Sequence, residues 1–234
     1  MSEISIEEKM ALQQAADDKK YVIADDEFDN FKTSLINTYE CDQSKIDTIS
    51  FATFKRFRIA RYPKFDECVE LYANYLSWLD ENKPYDIKLK DVITSYNSGK
   101  NIRFGVDKLN RPTGYTFACL HDKNIKFEDS KQFVYYEMIQ MEQLLAPSQQ
   151  FSWILQVKDF SYANWDIKIV KHILHTLDNY YPERLGHVYI INTGWIFKAL
   201  WKIVEVFIPA RTKKKITLCS NDGLSLLLQN WNAE

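Results

Sequence analysis

Apolar residues recur at helical spacing in the first third of the chain. In the remainder, strand-like runs alternate with helical ones. Phe28, Phe31, Leu35 and Ile36 mark a helix that runs to about Tyr39, and Phe51, Phe54, Phe57 and Ile59 mark a second. Tyr62-Pro63 ends the second, because a residue before proline avoids the α region. Val69, Tyr72, Tyr75, Leu76 and Leu79 predict a third over 66–80. Further on, strands are expected at 114–120 (GYTFACL), 151–157 (FSWILQV), 187–192 and 215–219. Helices are expected at 129–145, 165–179 and 195–208, with a short closing helix at 224–228. Strands separated by helices of this length need crossovers and therefore pair in parallel. The expected fold class is α/β. A polar segment (1–26) and a helical N-terminal unit (27–83) precede a domain (84–234) with a small, mostly parallel sheet and flanking helices.

The helix at 195–208 breaks the usual amphipathic pattern. Its charged positions, Lys198, Lys202 and Glu205, fall at i, i+4 and i+7 and form one narrow stripe. Trp195, Ile196, Phe197, Leu200, Trp201, Ile203, Val204, Val206, Phe207 and Ile208 cover the rest. Such a helix needs two apolar partners. It is either a core helix between two protein layers or a helix with protein on one side and lipid on the other.

Composition narrows the choice of function. The chain has 234 residues, 46% of them hydrophobic, enough for a sizeable core. A formal net charge of −2 provides no global field toward nucleic acid, so no nucleic-acid partner is expected. Cys41, Cys68, Cys119 and Cys219 lie far apart without C-x-x-C pairing and read as free thiols of a reducing compartment. MSEISIEEKM is too polar for a signal peptide, and the longest apolar run is too short and too charged to span a bilayer. A cytoplasmic location follows as the expectation. Phosphate-binding and nucleophile-elbow motifs are missing. His172 and His175 have a metal-compatible spacing, but they share a face with Lys168, Lys171 and Asp178 and lack an evident third ligand, so they read as a solvated face. No catalytic residue, metal or cofactor is expected, and the chain does not read as an enzyme.

Arg211, Lys213, Lys214 and Lys215 form a basic run at a strand entrance, which is either a solvated edge or an anion site. Lys215 alternates with Ile216, so its side chain is expected to turn inward and to need an anionic partner. Glu183, in the tight turn between Pro182 and Gly186, is a candidate.

The order YYPERLG, an apolar strand with IIN, a W-x-F-x-A-L-W helix and R-T-x-x-K-I closely resembles the CRAL-TRIO family of lipid-binding and lipid-transfer proteins. Upstream, FKRFRIAR (54–61) with Phe65-Asp66 is similar to the family's helical signature, and VDKLNRP (106–112) to its D-K-x-G-R-P turn. Asn110 stands where the family usually has Gly, and Asn tolerates left-handed geometry best among other residues.

The resemblance implies a phospholipid ligand, phosphatidylinositol first, held in an apolar cavity and transferred or presented between membranes by a monomer that touches membranes transiently. It implies headgroup contacts from Arg61, Asp107, Glu183, Thr212 and Lys215. The helix at 195–208 becomes an apolar gate, and Phe151, Trp153, Trp195, Phe197, Leu200, Trp201, Val204 and Phe207 are the expected acyl-cavity and gate residues. Members that also carry phosphatidylcholine have a Ser/Thr pair where this chain has Phe151 and Trp153, so phosphatidylcholine exchange is not implied. Ser152 should face the opposite side of that strand. Family members usually continue past the closing helix with another segment and a Gly-Gly turn, so how the C-terminal edge is closed stays open. Two alternatives stay open: a regulatory or scaffolding module that does not transfer lipid, and a carrier of another small hydrophobic ligand.

Overall fold

The structure, a computed structural model, describes residues 19–145, 150–220 and 223–231. Residues 1–18 of the expected polar segment lie outside the described residues. The chain divides into two units, Met1–Lys83 with Asn179–Glu183, and Pro84–Asp178 with Arg184–Glu234.

Among its described residues the first unit contains α1 (Glu27–Tyr39), α2 (Gln43–Asp47), α3 (Phe51–Ala60) and α4 (Phe65–Asn82). Ser50 caps α3 by accepting a hydrogen bond from the Thr53 N–H at 3.2 Å. Asp42 caps α2 in the same way from Ser44 at 2.8 Å. α2 escaped the periodicity reading because five residues are too few to show a period. The apolar faces close over Phe31, Leu35, Phe54, Phe57, Val69 and Tyr72, all buried. Tyr72 meets Phe57 edge-on at 4.7 Å. Arg58, buried in this unit, is paired with Glu27, which supplies the countercharge that a buried guanidinium requires. Trp78 stacks on Tyr180 of the returning segment at 4.3 Å and 10°.

The second unit has a five-stranded sheet in the order β1 (Asn101–Val106), β2 (Pro112–Phe117), β3 (Phe151–Gln156), β4 (Leu185–Ile191), β5 (Ile216–Leu218). β1 and β2 are antiparallel, and the remaining pairs are parallel. After a short helix, α5 (Ile93–Asn97), come the long connections α6 (Phe127–Glu142), α7 (Ile167–Asn179) and α8 (Trp195–Val204), then α9 (Ala210–Lys213) and the closing α10 (Leu224–Asn230). Each parallel strand adds on the same side of its predecessor. Right-handed crossovers therefore put α6, α7 and α8 on one face of the sheet. On the other face Ile154, Tyr189 and Ile191 pack with Trp231 and Leu227. Trp231 Nε1 donates to Thr113 Oγ1 at 3.0 Å there.

Among the differences from the expected elements, two element ends and one strand stand out. β2 stops at Phe117, opposite the last paired residue of β3, Gln156, and Ala118–Leu120 is a 3-10 turn. α8 ends at Val204, followed by a 3-10 turn at Glu205–Phe207, because Pro209 holds Ile208 extended at φ −90° and ψ 120°. β1 carried no strand signal at all, being an edge strand with an Arg and a Gly. Asn110 takes φ +55°, the left-handed geometry expected of the turn between β1 and β2.

Candidate functional site

The strand alternation puts Phe151, Trp153 and Leu155 on the helix side of β3, and Ser152 and Ile154 on the other. Between that floor and the three helices lies a cavity of about 310 Å³. Val188 and Ile190 of β4, Ile216 of β5, Met138 of α6 and Ile169 and Ile173 of α7 supply most of its remaining apolar wall. Phe197, Trp201 and Val204 of α8 complete it.

Trp153 is fixed in this floor. Its Nε1 donates to Thr116 Oγ1 at 2.8 Å, and the Thr116 hydroxyl donates to Asn101 Oδ1 at 2.8 Å. One end of the cavity is polar: Lys100, His121, Ser130 and Glu137 line it. Burial lowers the Lys100 ammonium pKa, offset in part by Glu137 and Asp122, and burial raises the Glu137 carboxyl pKa against the pull of Arg103. Burial also lowers the His121 pKa, and Lys100 beside it adds to that, against the pull of Asp166 and Asp122.

α8 has one covered face. Phe197, Leu200 and Val204 are buried, whereas Trp195 is 75%, Ile203 50%, Val206 72% and Phe207 47% exposed. Among the described residues that second face stays largely exposed, which is not the arrangement of a helix between two protein layers. Lys198 and Lys202 flank the bare ridge, and the Lys171 ammonium sits 4.1 Å from the centre of the Phe207 ring.

The expected gate and cavity residues divide accordingly. Phe151, Trp153, Phe197, Trp201 and Val204 line the cavity. Trp195 and Phe207 point outward, and Leu200 is buried off the cavity wall, so these three are corrected as cavity residues. Trp195 falls opposite Phe197 on α8, and Phe207 lies in the 3-10 turn beyond the helix end.

The expected headgroup residues do not form one cluster within either unit. Arg61 and Glu183 belong to the helical unit, where Arg61 Nη2 approaches Asn179 Oδ1 at 3.5 Å and Glu183 has φ +59°. In the sheet unit, the α9 turn brings Thr212 and Lys215 together through Lys215 N–H to Thr212 O at 2.9 Å. Thr212 lines the cavity, and Lys215 Nζ donates to Leu185 O at 2.8 Å. The inward turn of Lys215 thus meets a backbone carbonyl. Asp107 stands apart from the cavity. Its buried carboxylate accepts from Leu109 N (2.9 Å), Arg111 N (3.0 Å), Arg111 Nε (2.7 Å) and Ser152 Oγ (2.7 Å), and so braces the β1–β2 turn.

His172 is a correction as well. It packs against Tyr135 at 5.3 Å and Phe127 at 5.8 Å between α6 and α7, not on a solvated face. Among the described residues no group of three or more His, Cys, Asp or Glu could hold a metal ion, and no helix is long and apolar enough to cross a membrane.

A mostly parallel sheet roofed on one face by helices, with an apolar cavity beneath the roof, defines the class: an α/β protein with an internal apolar pocket. The family model described as CRAL/TRIO domain matches residues 96–234, and the chain belongs to that family. It is 28% identical over 177 residues to the phosphatidylinositol transfer protein CSR1 of Eremothecium gossypii, covering 69% of this chain and 40% of that one. A CRAL-TRIO domain-containing protein of Schizosaccharomyces pombe is 24% identical over 177 residues, covering 71% and 40%. The chain spans about 40% of the length of these relatives. The crystal structure of Sfh5 superposes with a TM-score of 0.66 at 16% identity, covering 87% of this chain and 83% of that one, a likeness of fold.

Proposed function

We propose that this protein binds a phospholipid, with phosphatidylinositol as the ligand, and moves or presents it between membranes. The observation that carries the reading is α8, with one face roofing an apolar cavity and the other bare and apolar. Each buried methylene is worth about 0.8 kcal/mol, so two acyl chains resist leaving a bilayer by something on the order of 20 kcal/mol. A carrier offers those chains an equally dry interior, and α8 as a lid would let them pass without crossing water. Its bare ridge would meet the bilayer, with Lys198, Lys202, Lys213 and Lys214 at the anionic interface.

In this reading Arg61, Glu183, Thr212 and Lys215 hold the phosphoinositol headgroup, Asp107 keeps its turn in shape, and the protein is a cytoplasmic monomer. Charged hydrogen bonds of roughly 1.5–3 kcal/mol each supply the selectivity. Replacing Glu183 and Lys215 together by Ala should abolish transfer of phosphatidylinositol between vesicles while leaving the fold intact. Unchanged transfer removes the headgroup assignment.

One observation favours a second reading, a lipid-sensing module without exchange. The Trp153 indole occupies the cavity floor, and the remaining volume is near the lower end of the roughly 300–1,000 Å³ of ligand pockets. Lipid bound but never transferred would support it.

A further inference from the structure

The polar end of the cavity is absorbed by none of the assignments above. Glu137 is tied off: Asn101 donates to it, and Arg103 Nη1 lies 3.6 Å from its Oε1. Lys100 is not. It is 7% exposed, and the close partners of its ammonium are His121 Nδ1 at 3.4 Å and the Phe133 ring at 4.9 Å. Accepting from Lys100 puts the His121 proton on Nε2, which has no hydrogen-bond acceptor and lies 3.8 Å from Asp166 Oδ2. Ser130, on the inner face of α6, is 2% exposed, and its Oγ has no hydrogen-bond partner. Ser130 Oγ and His121 Nε2 are costly to leave unsatisfied in an apolar cavity, and Glu137 and Asp122 offset the burial of the Lys100 ammonium only in part.

We propose that Lys100, Ser130 and His121 form a carboxylate subsite, and that the cavity takes a long-chain fatty acid with its head at this end. The inference rests on the same reading of the cavity as the lipid-carrier function. A carboxylate supplies the acceptors that Ser130 Oγ and His121 Nε2 lack and adds a charge-assisted bond to the Lys100 ammonium.

The test compares oleic acid with methyl oleate, which keeps the chain and loses the charge, on the full-length protein. Uptake of phosphatidylinositol from vesicles is followed in parallel. The wild-type chain is expected to prefer oleic acid by about tenfold or more. Lys100→Met should weaken oleic acid about 10- to 100-fold and keep methyl oleate within about threefold. Ser130→Ala, a milder change that carries the test if Lys100→Met does not fold, should weaken oleic acid about three- to tenfold. No preference in the wild type, or a preference that neither variant moves, overturns the subsite. Uptake of phosphatidylinositol without oleic acid defeats the subsite alone. Uptake of neither defeats the cavity reading with it.

Discussion

Trp153 lies directly across Gly114. The two residues are register partners on β2 and β3, and a Cβ on Gly114 would fall 2.5 Å from ring carbons Cε3 and Cζ3 of the indole. The missing side chain is what lets the ring lie flat on the cavity floor and reach Thr116. The shape of the cavity therefore depends on the smallest residue of the sheet being opposite its largest.

Gly114→Ala is expected to lose about 1–3 kcal/mol of stability in urea denaturation, the usual cost of forcing a packed ring aside. In a Trp153→Ala background the same change should cost under about 0.5 kcal/mol, because the clash has gone. Equal costs in both backgrounds would mean that the indole does not set the fit at Gly114.

Asp107→Ala should destabilise by about 3–5 kcal/mol, because it strands the Arg111 guanidinium and the Ser152 hydroxyl in a buried turn. The loss should be the same with and without phosphatidylinositol. A change within about 0.5 kcal/mol would show that the turn does not need its carboxylate.

His172 links stability to pH. Burial, then Lys131, brings its pKa from 6.5 down to about 4 in the folded protein. The unfolded chain thus takes up the proton first, so this contribution is complete above pH 6.5 and is lost as pH falls toward about 4. The ring is only half-buried, and the loss should be on the order of 1 kcal/mol. Urea midpoints at pH 7 and pH 5 measure it. His172→Phe should shrink the difference between them, and an unchanged difference would assign the pH dependence elsewhere.

Trp195→Asp with Val206→Asp should leave stability within about 0.5 kcal/mol, since both side chains are mostly exposed. Co-sedimentation with phosphatidylinositol-containing liposomes should fall at least about tenfold, each lost apolar contact being worth about 1.5–3 kcal/mol. Undiminished binding would move the membrane contact away from α8.

The parallel strands and long helices of the sheet unit were readable because their apolar periods are long and their boundaries carry Pro, Gly or a change of period. The two-sided greasiness of α8 was readable too, and the bare ridge at Trp195 and Val206 is its structural counterpart. β1 and α2 were not, one being a polar edge strand and the other a single turn. The burial of His172 comes from Phe127 and Tyr135 on another helix, some forty residues away, and no local pattern on α7 reports it. Lys100, Ser130 and Glu137 were missed for the same reason. They sit in ordinary polar stretches, and only the crossover geometry turns them toward one cavity.

The most direct measurement is mass spectrometry of an organic extract of the purified protein, with phospholipid counted per chain. The account predicts one phosphatidylinositol per folded chain, displaced when the vesicle assay loads another. A protein that is folded, free of lipid and unable to acquire any from vesicles would contradict it.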